Sequence, residues 1–254
     1  MRQKTAQKTT QKTTHVLFYA LLFLGVGGGI ACRASDASIM VTALRPLDAD
    51  CKADTNHYVG RGALNLSVSS EYLLSVVIES VVEGADVEGS GGRLLSSEKE
   101  NRVVLTEWKR QTFLYGAGGT SKFLIEESEP IAGILEPNAQ MQLLIPVSML
   151  GPGAARELRQ VLLQAGAGLP LGAPPPGVEV VVRFQIKGKL MSSGKKIETA
   201  PVEFPIFAYL GAPLPQCLEN ESLAPVGPCG LYGGQDGFQP ICCELDPISR
   251  KCKS

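Results

Sequence analysis

The chain is poor in the residues that most enzyme chemistry needs. Among 254 residues there are two histidines, His15 and His57, so acid–base catalysis and zinc binding lack their commonest side chain. Aromatics make up only 6%, and Trp108 is the single tryptophan. Neither sign of charge dominates: 24 Lys and Arg stand against 25 Asp and Glu, which excludes a broadly basic nucleic-acid binder. No P-loop, no G-x-S-x-G elbow and no C-x-x-C pair occurs anywhere in the chain. What is plentiful is Gly (28) and Pro (17), which favours short strands and many turns over a helical bundle.

The N-terminus reads as an address. Arg2, Lys4, Lys8 and Lys12 precede an apolar run, Val16–Ile30, and no acidic residue interrupts them. About 15 apolar residues, three of them the consecutive glycines Gly27, Gly28 and Gly29, suit a signal peptide. A membrane-spanning helix needs roughly 20, so an uncleaved anchor is the poorer fit. Removing residues 1–31 takes four basic residues and no acid. Of 24 basic and 25 acidic residues, 20 and 25 remain, and the exported body is mildly acidic.

The run ends in G-I-A-C, Gly29–Cys32, and this segment resembles a bacterial lipobox, although Gly29 stands where Leu is usual. The resemblance implies lipid on the Cys32 sulfur and cleavage just before it. Arg33 follows, not the aspartate of an inner-membrane retention signal, so the expected destination is the outer membrane. The competing reading is an ordinary secretory signal cut near Ala31 or Ala34, which leaves a secreted or periplasmic protein.

Cysteine usage agrees with export. Beyond Cys32 there are six cysteines, Cys51, Cys217, Cys229, Cys242, Cys243 and Cys252, an even number in a disulfide-permissive compartment. Five of them crowd into the last 38 residues, where few apolar side chains are available to build a core. No ligand spacing there suits a metal, so no metal or cofactor is expected. Adjacent Cys242 and Cys243 should reach different partners. Cys51 and Cys217 flank the central region, and domain ends often lie close together, so a Cys51–Cys217 bridge is the economical expectation. The competing idea joins Cys51 to a later tail cysteine and folds the tail back over the domain.

Between them the pattern has mainly period two. Gly177–Leu190 places Val178, Val180, Val182, Phe184, Ile186 and Leu190 on one face, and a turn with Gly194 at a positive φ should return the chain. Ile197–Leu210 follows, with Pro201 and Pro205 assigning it to an edge or a bulge. Further strands are expected at Arg61–Val68, Tyr72–Val82, Arg102–Trp108, Lys122–Glu127 and Ala139–Met149. Ala154–Ala165 instead shows helical spacing, and the proline-rich segment after it, 169–177, reads as a stiff connector. The expected fold is mainly β: an antiparallel immunoglobulin-like β-sandwich with one short helix and a small disulfide-stapled tail. Residues 1–31 would be the signal peptide, 32–57 an anchor or linker, 58–212 the sandwich and 213–254 the cysteine-rich tail.

Cys32, the segment Tyr58–Val82 and the P-C-G…C-C…C tail together resemble exported lipoproteins of the myxobacterial kind. Such proteins combine a lipobox, a central β-sandwich and a cysteine-bearing tail. The resemblance implies location and fold and supplies no catalytic residue.

Four clusters invite chemistry and are outweighed by blander readings. Gly116–Lys122 is glycine-rich but lacks phosphate-loop spacing and suits a hairpin. Glu126, Glu127 and Glu129 could hold calcium but lack an Asp/Asn–Gly loop. His57 with Ser67 or Ser69 could imitate a triad without its elbow. Asn65 and Asn220 open glycosylation-type triplets, which matter only in a eukaryotic secretory pathway. The expectation is therefore a non-enzymatic envelope lipoprotein without cofactor, held to the membrane by Cys32, with another envelope protein or a polysaccharide as partner and no nucleic acid. The alternative is an extracytoplasmic enzyme or inhibitor without a recognisable motif, which a polar pocket of about 300 Å³ or more would favour.

Overall fold

The computed structural model describes residues 39–80, 102–116, 120–137, 143–167, 176–246 and 252. The signal segment, Cys32 and most of the proline-rich connector lie outside them. In chain order the strands are β1 (Ile39–Arg45), β2 (Gly62–Asn65), β3 (Tyr72–Ser80), β4 (Val103–Tyr115), β5 (Ser121–Leu135) and β6 (Leu143–Leu150). Helix α1 (Pro152–Gly166) follows, then β7 (Gly177–Leu190), β8 (Lys196–Glu198), β9 (Val202–Tyr209), β10 (Glu221–Leu223) and β11 (Cys242–Glu244). The protein is mainly β with one helix among the described residues.

β1, β3 and β6 form a three-stranded antiparallel sheet, and β2, β9, β7, β4 and β5 form a larger one, with β8 paired to β7. One hydrophobic cluster draws on both. Leu74, Val76 and Ile78 come from the small sheet, Trp108, Val182, Phe184 and Ile206 from the large one, and Leu158 and Leu162 from the helix. Trp108 and Phe184 meet with ring centroids 4.5 Å apart and planes tilted by 30°, within the contact range of aromatic pairs. The alternation of β7 matches its sequence: Val180, Val182, Phe184 and Ile186 are fully buried, while Glu179, Arg183 and Lys189 are exposed. Gly194 takes a φ of +66° in the turn that follows, as the sequence requires.

Five features correct the sequence reading. First, β1 lies inside the stretch expected to be a linker, and it pairs with β3 from Ile39↔Ser80 to Arg45↔Ser75. Second, β4 and β5 run well past Trp108 and Glu127, to Tyr115 and Leu135. Third, β2 pairs with β9 in parallel, so the sheet is not purely antiparallel. Fourth, β9 lies inside the large sheet and not at its edge. Pro205 is tolerated because β2 covers only Ile206–Tyr209, and Pro201 falls in the gap between β8 and β9. Pro130 and Pro146 sit in β5 and β6, which border their sheets, where a missing N–H costs least.

The fifth correction concerns the disulfides. Cys51 pairs with Cys229, Cys217 with Cys242 and Cys243 with Cys252, so the expected Cys51–Cys217 bridge does not form. Cys242 and Cys243 do reach different partners. Cys51 is held in a left-handed turn (φ 62°) by Asp48, whose carboxylate accepts from the Asp50 and Lys52 N–H groups. The Asp48 carbonyl also accepts the Cys229 N–H at 2.8 Å, so the bridge and a backbone bond fix the same contact. The tail thus folds back on the domain and belongs to one compact unit with it, Ala37–Ser254.

Two outcomes follow. Phe184→Ala should cost about 3–5 kcal/mol, since it empties a fully buried site. Lys187→Ala should cost under about 1 kcal/mol, because its pair with Glu107 is partly exposed. Denaturant titration compares them, and equal losses would mean that the register of β7 is wrong. Non-reducing peptide mapping should join Cys51 to Cys229, a bridge across 178 residues that contributes about 5 kcal/mol in the chain-entropy account.

Candidate functional site

Charge in this protein is sorted by face. On the inner face of β4 sits Arg110, 1% exposed and surrounded by core. Burial alone would lower its pKa, but two carboxylates outweigh that penalty and hold it above the ordinary guanidinium value. Its Nε donates to Glu127 at 3.2 Å, one Nη to Glu129 at 2.5 Å and the other to the Ser148 carbonyl at 2.8 Å. Glu127 also accepts the Gly153 N–H at 3.1 Å, in the first turn of α1. A side chain at Gly151 would collide with both Arg110 and Glu127. The glycines on either side of Pro152 therefore make room for the ion cluster. The acidic run of β5 is divided by its alternation: Glu127 and Glu129 serve Arg110, while Glu126 faces out to Lys109 at 2.8 Å and Gln111 at 2.7 Å. Hydrogen bonds from Lys109 and Gln111 hold the Glu126 carboxyl below its usual pKa. These glutamates are structural partners of cations, and no group of residues that could hold a metal occurs among the described residues.

The outer face of the large sheet has two different ends. At one end Phe113 and Phe123 meet edge to face at 5.8 Å, and Phe207 stacks with Tyr209 at 5.9 Å. Arg183 lies over the Phe113 ring and pairs with Glu203 at 2.6 Å. At the other end a groove of about 620 Å³ opens where β4, β7 and β8 meet. A bulge between Leu105 and Glu107 shifts the β4 register and brings Thr106 to the surface. The β7–β8 hairpin then sets Lys187 opposite Glu198 and Lys189 opposite Lys196. Lys187 is neutralised by Glu107 at 3.1 Å, whereas Lys189 and Lys196 have no ion pair among the described residues. Two ammonium groups directly opposite each other destabilise a sheet. The groove therefore has one compensated end and one cationic end.

The remaining candidates disperse. Gly116 and Thr120 close the β4–β5 hairpin through a 2.9 Å backbone bond, as expected for Gly116–Lys122, with residues 117–119 outside the described set. His57 bonds Asp54 at 2.6 Å, while the Ser69 hydroxyl donates to the Glu71 carbonyl and the Ser67 N–H to Asn65. No serine completes a triad with His57 among the described residues. Asn65 is buried, with its amide nitrogen donating to the Ala212 carbonyl and its oxygen accepting from Ser67 and Gly211, so it is committed to the fold.

Sequence reasoning missed Arg110, Gln235 and Asp236. Gln235 makes paired bonds to the Leu73 N–H and carbonyl, both at 2.8 Å. Asp236 accepts the Tyr72 hydroxyl at 2.6 Å and the Ala63 N–H at 2.9 Å. Burial first, and then the Asp236 charge, keep the Tyr72 phenol protonated well beyond its ordinary range. Together these two tail residues tie β2 to β3.

The chain matches no protein-family model, and no curated protein is similar to it. The reading of its function therefore rests on its own residues.

The buried cluster makes its own test. Arg110→Ala should cost about 3–5 kcal/mol by leaving carboxylates uncompensated. Arg110→Lys should recover only part of this, since one ammonium cannot reach Glu127, Glu129 and the Ser148 carbonyl in the same planar arrangement. A lysine variant as stable as wild type in urea would show that charge alone, without the fork, is enough.

Proposed function

We propose that the protein is a non-enzymatic cell-envelope lipoprotein, anchored in the outer membrane through lipid on Cys32. In this reading its two sheets are an immunoglobulin-like sandwich that binds another envelope component, a protein or a polysaccharide. The observation that carries it is the cysteine arithmetic. Three disulfides use Cys51, Cys217, Cys229, Cys242, Cys243 and Cys252, which leaves Cys32, at the end of the apolar run, as the odd thiol of seven. Three disulfides suggest an oxidising compartment outside the cytoplasm, where such lipidation takes place. A lipidated cysteine carries two or three acyl chains, and each buried CH₂ contributes roughly 0.8 kcal/mol, so the anchor is firm without a spanning helix. Among the described residues no helix is long and apolar enough to cross a membrane.

The sandwich reading draws on one core shared by two sheets and on strict inward alternation in β7. The binding reading draws on what the charged groups do. Arg110, Glu127 and Glu129 are occupied with each other, and His57 with Asp54. The groove exceeds the size that would favour an enzyme, but lysines, two glutamates and Thr106 supply no nucleophile paired with a base.

Mass spectrometry of the purified mature protein tests the anchor. The expected N-terminal residue is lipid-bearing Cys32, with no other free thiol. Cys32→Ser should leave an unprocessed precursor or release the protein from the membrane fraction. A serine variant still cut after Ala31 and still sedimenting with membranes would overturn the lipoprotein reading.

A further inference from the structure

We propose that the groove between β4, β7 and β8 binds an anionic saccharide, its carboxylate or phosphate held between Lys189 and Lys196. The inference rests on the binding-module reading above and names the site and the ligand class that it leaves open. It starts from a cost. Lys189 and Lys196 are cross-strand neighbours in the β7–β8 hairpin, both exposed, with no carboxylate paired to either among the described residues. Such a pair disfavours the hairpin unless something negative comes between the two ammonium groups. An oxyanion does so with charge-assisted hydrogen bonds from both sides.

The rest of the groove selects what carries that anion. Next to the cationic end lie Glu107 and Glu198, and Thr106 presents a hydroxyl from the β4 bulge. Glu107 is already bonded to Lys187, and Thr106 donates to the Lys187 carbonyl at 3.3 Å, leaving lone pairs on all three oxygen-bearing groups. Carboxylates beside the cations repel a flat, uniformly anionic surface such as a phospholipid bilayer. They favour instead a compact ligand with one negative group and several hydroxyl donors within reach of it. A volume of about 620 Å³ lies within the range of small-ligand clefts and accommodates a short stretch of sugar.

The test uses the purified full-length protein, titrated calorimetrically at low salt with an aldobiouronic acid, one uronic acid joined to one neutral hexose, and with its neutral methyl ester. The acid should bind and the ester should not, and binding should weaken as salt is raised. The Lys189→Gln/Lys196→Gln variant should lose at least about tenfold in affinity, as expected when charged hydrogen bonds go, while Lys52→Gln, remote on the Asp48 turn, binds as wild type. Lys189→Glu supplies the missing opposite charge internally. It should abolish binding yet raise Tm by about 1–3 °C, because a repulsive cross-strand pair becomes attractive. A falling Tm would remove the premise that the two lysines repel. Equal binding of acid and ester, no binding of the acid, or unchanged affinity in the double variant would overturn the site. So would tighter capture by phosphatidylglycerol vesicles that depends on Lys189 and Lys196, since that assigns the pair to membrane contact. The lipid on Cys32 is read separately by mass spectrometry, so either proposal can fail without the other.

Discussion

A guanidinium in the core sets terms that the surrounding chain must meet. Arg110 is almost wholly withdrawn from water, and an isolated buried charge would cost several kcal/mol, so every donor it carries needs an acceptor. Those acceptors come from three directions: Glu127 and Glu129 across the β4–β5 ladder, and the Ser148 carbonyl from the small sheet. The last bond is the informative one. It makes a strand of the small sheet answer to a residue of the large one, so the spacing of the two sheets is fixed by a hydrogen bond as well as by packing. Glu127 extends the constraint to the helix through the Gly153 N–H, where a carboxylate is favoured by the unsatisfied donors of a helix start. The absence of a Cβ at Gly151 gives the cluster its space.

The tail solves a different problem. A sheet edge with free N–H and C=O groups is a liability, and β2, at one border of the large sheet, would be such an edge. The G-G-Q-D-G turn covers it. The Asn65 N–H donates to the Gly234 carbonyl at 2.6 Å and the Asp236 N–H to the Ala63 carbonyl at 2.8 Å. Gly234 has a φ of +91° with Val68 pressed against it, a position that a larger residue would strain. From that turn Gln235 reaches across to the backbone of Leu73 in β3. The Cys51–Cys229 bridge holds the turn's approach in place, so the tail acts as a clasp across both sheets and not as a separate knob. At the opposite border β5 relies on Pro130 and on exposed charge, the usual protection for a strand left unpaired.

These two devices explain which parts of the fold were legible in the sequence. β7 was readable to the residue because its inner row carries no polar side chain and its outer row, Val181 apart, is polar from Glu179 to Lys189. α1 was readable from Leu158 and Leu162 at helical spacing, although its start lies two residues earlier, at Pro152. The second halves of β4 and β5 were not, because the polar Arg110 and Thr112 stand on the buried side and Glu127 and Glu129 answer Arg110. An inward-pointing ion cluster inverts the hydrophobic alternation on which strand assignment depends. The disulfides failed for a related reason. Order along the chain places Cys51 and Cys217 at the two ends of the domain, but the bonds of Gln235 and Asp236, far apart in sequence from their partners, decide which part of the tail comes home. Of the groove, only the lysines were visible; that they face one another depends on a turn length, and that Thr106 joins them depends on a bulge.

The contrast between the two faces of the large sheet separates groups that hold the fold from groups that it leaves available. Inside, each charge has found its counterpart, and the geometry is so interlocked that a single methyl group at position 151 would not fit. Outside, near the aromatic end, Arg183 is likewise satisfied by Glu203 and by the ring of Phe113. Only where β8 returns beside β7 does the sheet place like charges together, although a single Lys-to-Glu change would pair them. The hairpin spans only three residue pairs there, from Lys187↔Glu198 to Lys189↔Lys196, so the repulsion falls on a short ladder with few bonds to resist it. Bonds from Thr199 offset that weakness. Its N–H donates to the Ile186 carbonyl, and its hydroxyl accepts the Ile186 N–H at 3.0 Å, anchoring the chain just past the end of β8. Buried support on one side of the strand thus permits an electrostatically unfavourable surface on the other, the arrangement expected where a surface is kept for a ligand and not for stability.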